Sequence, residues 1–244
     1  MTTTSTTPTP PSGTARTALV VGASRGLGHA LAAEFLDLGW DVIGTVRDPG
    51  RRTPLHQLQD EVGADRLAIE RLDITDEEET RALRERLAGR VLDLLFVNAG
   101  TTTSEDTPIG QVSTEDFVEV FVTNALSPLR VIETLQDLVA GDGLIGAMSS
   151  GQGSIANNTG GGREVYRGSK AALNQFLKSF AVRQSGTGRA IVLIAPGWIR
   201  TALGGDDAPF TIEENVPKVV DVLVGRLGTP GIAYRDFRGE VVPW

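Results

Sequence analysis

The chain of 244 residues carries 23 basic against 31 acidic side chains, a formal net charge of −8, no cysteine and 40% hydrophobic residues. That length suits one α/β domain with a core large enough to need no staple. The lack of cysteine excludes disulfide frameworks, thiol catalysis and cysteine-ligated metal centres, and no metal site is expected. The acidic balance argues against nucleic acid or a membrane surface as a partner, and no run approaches the roughly 18 apolar residues of a membrane span. Met1 to Pro11 lacks the basic start and apolar stretch of a signal peptide, and residues 1–16 (MTTTSTTPTPPSGTAR) read as a disordered leader before one folded unit, 17–244. The expectation is a cytoplasmic protein.

In chain order, Ala18–Val21 is a short apolar run followed by glycines and a helical stretch with Leu27, Leu31, Phe35 and Leu38 on one face. Further strands are expected at Asp41–Val46, Leu67–Leu72, Leu92–Val97, Gly143–Met148, Ile191–Ala195 and Ile232–Phe237, and helices at 52–62, 76–88, 113–138, 164–184 and 213–227. Strands alternating with helices of this length imply βαβ units, hence a mostly parallel sheet with helices on both faces. Ligands of such sheets bind beyond the carboxyl ends of the strands. The polar motifs gather there: Gly22–Gly28, Arg47, Asp73, Asn98–Gly100, Ser149-Ser150 and Pro196–Thr201 each follow a strand.

Between the first strand and first helix, Gly22-Ala23-Ser24-Arg25-Gly26-Leu27-Gly28 permits a tight turn, in which backbone amides can approach a pyrophosphate at the positive end of the helix. A rival pattern hides in it, since Gly22-x-Ser24-x-Gly26 also matches the nucleophile elbow of serine hydrolases. That triad needs a histidine late in the chain, whereas the two histidines are His29 and His56. The dinucleotide reading is therefore preferred. After the second strand stands Arg47 where an acidic residue would hold a free ribose 2′-hydroxyl. Arg47, Arg51 and Arg25 could converge on an extra phosphate, so NADP (NADPH) is favoured over NAD. Asp48, one residue along, is the objection.

Tyr166 and Lys170, at i and i+4 of a helical stretch, share a face. A phenol is a poor acid–base group at neutrality, and a neighbouring ammonium, together with the positive nicotinamide ring of an oxidised cofactor, favours its ionised form. So tuned, Tyr166 could donate a proton to a carbonyl oxygen or accept one in reverse. Ser149-Ser150 close the fifth strand, where an exposed hydroxyl could bond a substrate oxygen. Asn124 interrupts a helical face of Phe117, Val120, Phe121 and Leu126, which is costly unless its side chain bonds something.

This ordered set, Gly26-Leu27-Gly28, Asn98-Ala99-Gly100, Asn124, Ser150, Tyr166-x-x-x-Lys170 and Pro196-Gly197, resembles the short-chain dehydrogenase/reductase family over residues 17–244. The resemblance implies a single-domain Rossmann fold with a doubly wound seven-stranded sheet. It implies Tyr166 as acid/base, Lys170 on the nicotinamide ribose, Ser150 orienting substrate, and Asn124 supporting a water-linked proton relay. Gly22, Arg25 and Leu27 would face the pyrophosphate, Asp73 and Ile74 the adenine, Asn98 the adenosine ribose, and Ile199 and Thr201 the carboxamide. Ser24, Gly26, Gly28, Ala99, Gly100, Pro196 and Gly197 complete the expected cofactor site.

Three features depart from the common pattern: Val21 where the family often has Thr, one asparagine at Asn98 instead of two, and a long Ser150–Tyr166 gap. The gap, Thr-Val-Arg-Asp-Pro at 45–49 and the ending Val-Val-Pro-Trp resemble a C-factor-like, carbonyl-reductase-type branch. The expected activity is interconversion of a small carbonyl compound and an alcohol; the alternative is a non-enzymatic cofactor-binding signalling protein. The loop 202–210 reads as a mobile lid over an open cleft. The family implies a homodimer or homotetramer through 113–138 and 164–184, and the branch a monomer.

Overall fold

The structure, a computed structural model, describes residues 15–244. All but the last two residues of the expected leader, and the region read for a signal peptide, lie outside them. Seven strands alternate with helices: β1 (Thr17–Val21), α1 (Gly26–Asp37), β2 (Asp41–Val46), α2 (Pro54–Val62), β3 (Leu67–Arg71), α3 (Glu77–Arg86) and β4 (Leu92–Val97). Then follow α4 (Thr114–Phe121), α5 (Ser127–Leu135), β5 (Val139–Met148), α6 (Glu164–Arg183), β6 (Ala190–Ala195), α7 (Ile212–Arg226) and β7 (Gly231–Asp236). The sheet order is β3-β2-β1-β4-β5-β6-β7. Every strand pair in it is parallel, where the sequence implied mostly parallel. Strand order reverses between β1 and β4, the place where such sheets open a crevice.

Both faces of the sheet are covered, which explains strands that read as nearly unbroken apolar runs. Leu19, Val21, Leu95, Val97 and Ile145 bury under α3, α5 and α6, against Leu83, Ile132, Leu135, Leu173, Leu177 and Phe180. Their neighbours Ala18, Val20, Leu94, Phe96 and Leu144 point the other way, onto Leu31, Ala32 and Phe35 of α1 and Val216, Val219, Val220 and Leu223 of α7. Among the described residues no helix is long and apolar enough to cross a membrane.

Beyond shifts at element ends, of which the start of β5 at Val139 instead of Gly143 is the largest, the structure differs from the sequence reading in two places. The helix expected over 113–138 is α4 and α5 joined by a π-helical turn, Val122–Leu126, and closed by a 3₁₀ turn at Gln136–Leu138. Leu38, assigned to the buried face of α1, lies just past its end and is 41% exposed, because the helix stops at Asp37. The true inward stripe is Leu31, Ala32, Phe35 and Leu36. Urea unfolding should separate these positions. Phe35→Ala should cost about 3–5 kcal/mol and Leu38→Ala within about 0.5 kcal/mol of nothing.

Candidate active site

The carboxyl ends of β1, β2, β3, β4, β5 and β6 open on one cleft of about 1060 Å³. Its floor begins at the β1–α1 turn. Gly22 adopts φ +83°, a left-handed conformation that glycine takes without strain. Its N–H donates to Thr45 Oγ1 at 2.9 Å, and its carbonyl accepts from Asn98 Nδ2 at 3.0 Å. A Cβ on Gly28 would collide with that same carbonyl oxygen, so the first turn of α1 packs directly on the glycine turn. Arg25, extended at the head of α1, gives the helix no side-chain cap, and the first-turn amides remain for an anion. Gly22, Ser24, Arg25, Gly26 and Leu27 line the cleft, whereas Gly28 serves the close packing beneath it.

The neighbouring strand ends continue the wall. Arg47 lines it, while Asp48 is turned to its own loop, where Oδ1 accepts from Gly50 N–H at 2.9 Å. The sequence objection raised by Asp48 therefore has no carboxylate in the wall. Arg51, expected beside Arg47, is not a wall residue; it sits on the exposed turn bonded to Asp48 O at 3.2 Å. Asp73 and Ile74 line the cleft after β3, with Asp73 Oδ1 held by Thr75 N–H and Oγ1–H. Asn98, Ala99 and Gly100 line it after β4, and Pro196, Gly197, Ile199 and Thr201 after β6. The Pro196 carbonyl is tied to Asn215 Nδ2 of α7 at 2.8 Å. Loop 202–210 folds back on this segment, with Trp198 Nε1–H donating to Gly204 O and Arg200 Nε–H to Ala208 O.

Ser150, Tyr166 and Lys170 meet in the same wall. Lys170 Nζ stands 5.8 Å from the centroid of the Tyr166 ring and donates to Met148 O, the end of β5, at 2.9 Å. Ser150 Oγ accepts from Gln152 N–H at 3.1 Å, which leaves its own proton to donate. Asn124 is fully buried and outside the cleft wall. From the π-helical turn its Nδ2 donates to Thr101 O and Ser169 Oγ, and its Oδ1 accepts from Thr101 N–H. The side chain is a strut between the loop after β4 and α6, and the π-helical widening aims it there. The rival hydrolase pattern finds no support, since His56 is engaged by Thr53 in the cap of α2.

A family model described as short chain dehydrogenase matches residues 16–209. The chain belongs to this family. As a short-chain dehydrogenase it is an oxidoreductase, and its similarities spread across the family. C-signal of Myxococcus xanthus is 33% identical over 166 residues, 67% of this chain and 99% of that protein. A Burkholderia multivorans protein described as a short-chain dehydrogenase/reductase, solved with bound NADP, is 63% identical with TM-score 0.92, covering 94% of this chain and all (100%) of that one. A carbonyl reductase from Pseudomonas aeruginosa PAO1 in complex with NADP is 32% identical with TM-score 0.88, covering 95% of this chain and 100% of that one.

Burial dominates the electrostatics of the pair in this short-chain dehydrogenase. Burial pushes the Tyr166 phenol above its usual value, outweighing the Ser150 hydroxyl and the Arg163 guanidinium, which pull it down; Glu105 and Tyr234 push it further up. Burial is the largest influence on the phenol, and the lysine beside it is itself destabilised as a cation. Burial takes its amine down to about 8.

Sequence reasoning missed several residues of the site. Arg163, at the head of α6, lines the cleft with its guanidinium 5.0 Å from the Tyr166 ring centroid. Tyr234 of β7 donates its hydroxyl to the Ser150 carbonyl, and Asn174 Oδ1 accepts from Ser149 Oγ at 2.6 Å. Val241, Val242 and Pro243, following β7, form part of the wall. Arg163 and Tyr234 are single residues without a motif, and only the fold brings them here.

The buried amine makes stability depend on pH. Between about pH 8 and the ordinary lysine value the unfolded chain binds a proton that the folded one has lost. Stability should therefore rise with pH in that window, by up to about 1.4 kcal/mol per unit from this group. Lys170→Met should abolish that component, read as the difference between the two melting curves from pH 8 to pH 10.

Proposed function

We propose that this chain is an NADPH-dependent carbonyl reductase in which Tyr166 is the acid. The observation that carries the reading is the convergence of Ser150, Tyr166 and Lys170 in the cleft that also holds the glycine turn. The cleft fits a dinucleotide: α1 presents uncapped amides beside Gly22, and the buried Lys170 ammonium spends one of three donors on Met148 O. Its two remaining N–H groups suit ribose hydroxyls. Arg47 and Arg25 in the wall, with Asp48 turned away, favour a ribose phosphate over a free hydroxyl. The NADP bound by the Burkholderia and Pseudomonas relatives supports the same choice.

When bound, NADPH supplies the hydride for the carbonyl carbon. Ser150 donates a hydrogen bond to the carbonyl oxygen and fixes its position. Tyr166 gives that oxygen its proton as negative charge develops there. Burial suits this role, because it holds the phenol protonated until the oxygen demands the proton. The Lys170 cation stabilises the phenolate left behind, and Asn124 holds α6 in register. A cofactor-binding regulator, suggested by the likeness to C-signal, would have no use for this set of donors. The segment 17–244 is read as one domain, and exposed Phe117, Val118 and Phe176 on α4 and α6 support pairing of copies through those helices.

Tyr166→Phe should lower carbonyl reduction by at least about 100-fold while the dissociation constant for NADPH stays within a factor of two or so of the parent's. Retained turnover would remove the assignment. For the cofactor, Arg47→Ala should weaken NADPH about tenfold or more by losing a charge-assisted bond and leave NADH unaffected. Equal thermal stabilisation of the parent by both nucleotides would refute the preference.

A further inference from the structure

The phenol of Tyr166 faces cations on two sides. Lys170 lies one turn along α6, and Arg163 sits at the head of the same helix, each within 6 Å of the ring centroid. Arg163 is one of two non-glycine residues with positive φ among the described residues, at 49°. Backbone conformations of this kind persist where the surroundings hold them. Here the holder is Glu105, in the loop after β4: its carbonyl accepts from Arg163 N–H at 3.2 Å, and its carboxylate pairs with the guanidinium Nη2. The guanidinium Nε–H is buried without a partner, so the ion pair does not explain the whole placement of the side chain. Only 23% of the Arg163 side chain is exposed, and a charge so placed is poorly screened by solvent.

We propose that Arg163 is a positioning residue for proton transfer: its guanidinium, held over the Tyr166 ring and partly neutralised by Glu105, sets how readily the phenol releases its proton. This rests on Tyr166 being the acid of the reaction. The two charges act in opposite senses on one hydroxyl. Arg163 favours the phenolate, while Glu105 opposes it and restrains the arginine. The other groups facing the phenol are Lys170 on α6, the Ser150 hydroxyl after β5 and the Tyr234 hydroxyl on β7. Glu119 of α4 and Glu240 after β7 line the same cleft and stay unchanged in the test. The pair belongs to the two long segments around the substrate end, 98–113 and 151–163, and to no sequence motif. It lets this chain adjust the acid without touching Lys170, whose amine has its own bond to Met148.

A clasp that merely tied two loops would respond alike to loss of either partner. A charge device responds with opposite signs. The chain has two tyrosines, so the ultraviolet absorbance of tyrosinate, taken as each variant minus the same variant carrying Tyr166→Phe, reports Tyr166 alone. Arg163→Met should move that titration to higher pH by about one unit, and Glu105→Gln should move it to lower pH. Arg163→Lys, which keeps a cation, should stay near the parent. The alkaline limb of kcat/KM for carbonyl reduction should follow the same three directions. Displacement of Arg163→Met and Glu105→Gln in one direction, no displacement in either, or a lysine variant as displaced as the methionine one would overturn the proposal. Should Arg163→Met fail to fold, the sign for Glu105→Gln decides. The titration needs no turnover, so it stands or falls separately from the Tyr166→Phe test of the reductase reading.

Discussion

One hydrogen bond, from the buried Lys170 ammonium to the Met148 carbonyl, fixes the relation between α6 and the end of β5. An ammonium removed from water is costly unless it is bonded, and this one has a single protein acceptor. The carbonyl is available because β5 ends there and its next residues turn away into Ser149 and Ser150. A helix bearing the phenol is thereby docked on the strand end that carries the serine. Supporting bonds repeat the pattern: Asn174 receives Ser149 and reaches Gly153, and Asn124 joins Thr101 to Ser169. Polar side chains inside the core tie loop to helix at each point where the sheet opens.

The cleft faces one edge because every strand is parallel and all carboxyl ends fall on the same side. All seven strands end at or just before the wall, while their middles are sealed on both faces. Apolar packing holds the strands together, and the strand ends supply the polar groups of the cleft. Division of labour along each strand is what allows one scaffold to hold the glycine turn and the Tyr166 phenol within one cavity.

Much of this was legible beforehand, and for a physical reason. Strands covered on both faces need continuous apolar runs, and Leu92–Val97 or Ile191–Ala195 declare themselves by that alone. The Tyr166–Lys170 spacing is local to one helix and so survives as a pattern. What stayed hidden was set by contacts distant in sequence. The π-helical turn at Val122–Leu126 accompanies the reach of Asn124 to Thr101 and Ser169, which no helical periodicity records. Leu38 follows the apolar spacing of α1 but falls beyond its last turn. Arg51 shares the charge of Arg47 without its place in the wall. The sequence shows the cation beside the phenol but not the burial, a property of the assembled fold, that pushes the phenol up.

Tyr234 links the edge of the sheet to the centre of the cleft. Its hydroxyl holds the Ser150 carbonyl, its ring lies 5.5 Å from that of Trp244, and Trp244 O accepts from Ala156 N–H. The stretch after β7 is thus mechanically continuous with the loop bearing the serine. A shift of Trp244 is therefore passed to the Ser150 backbone through one aromatic contact and one hydroxyl.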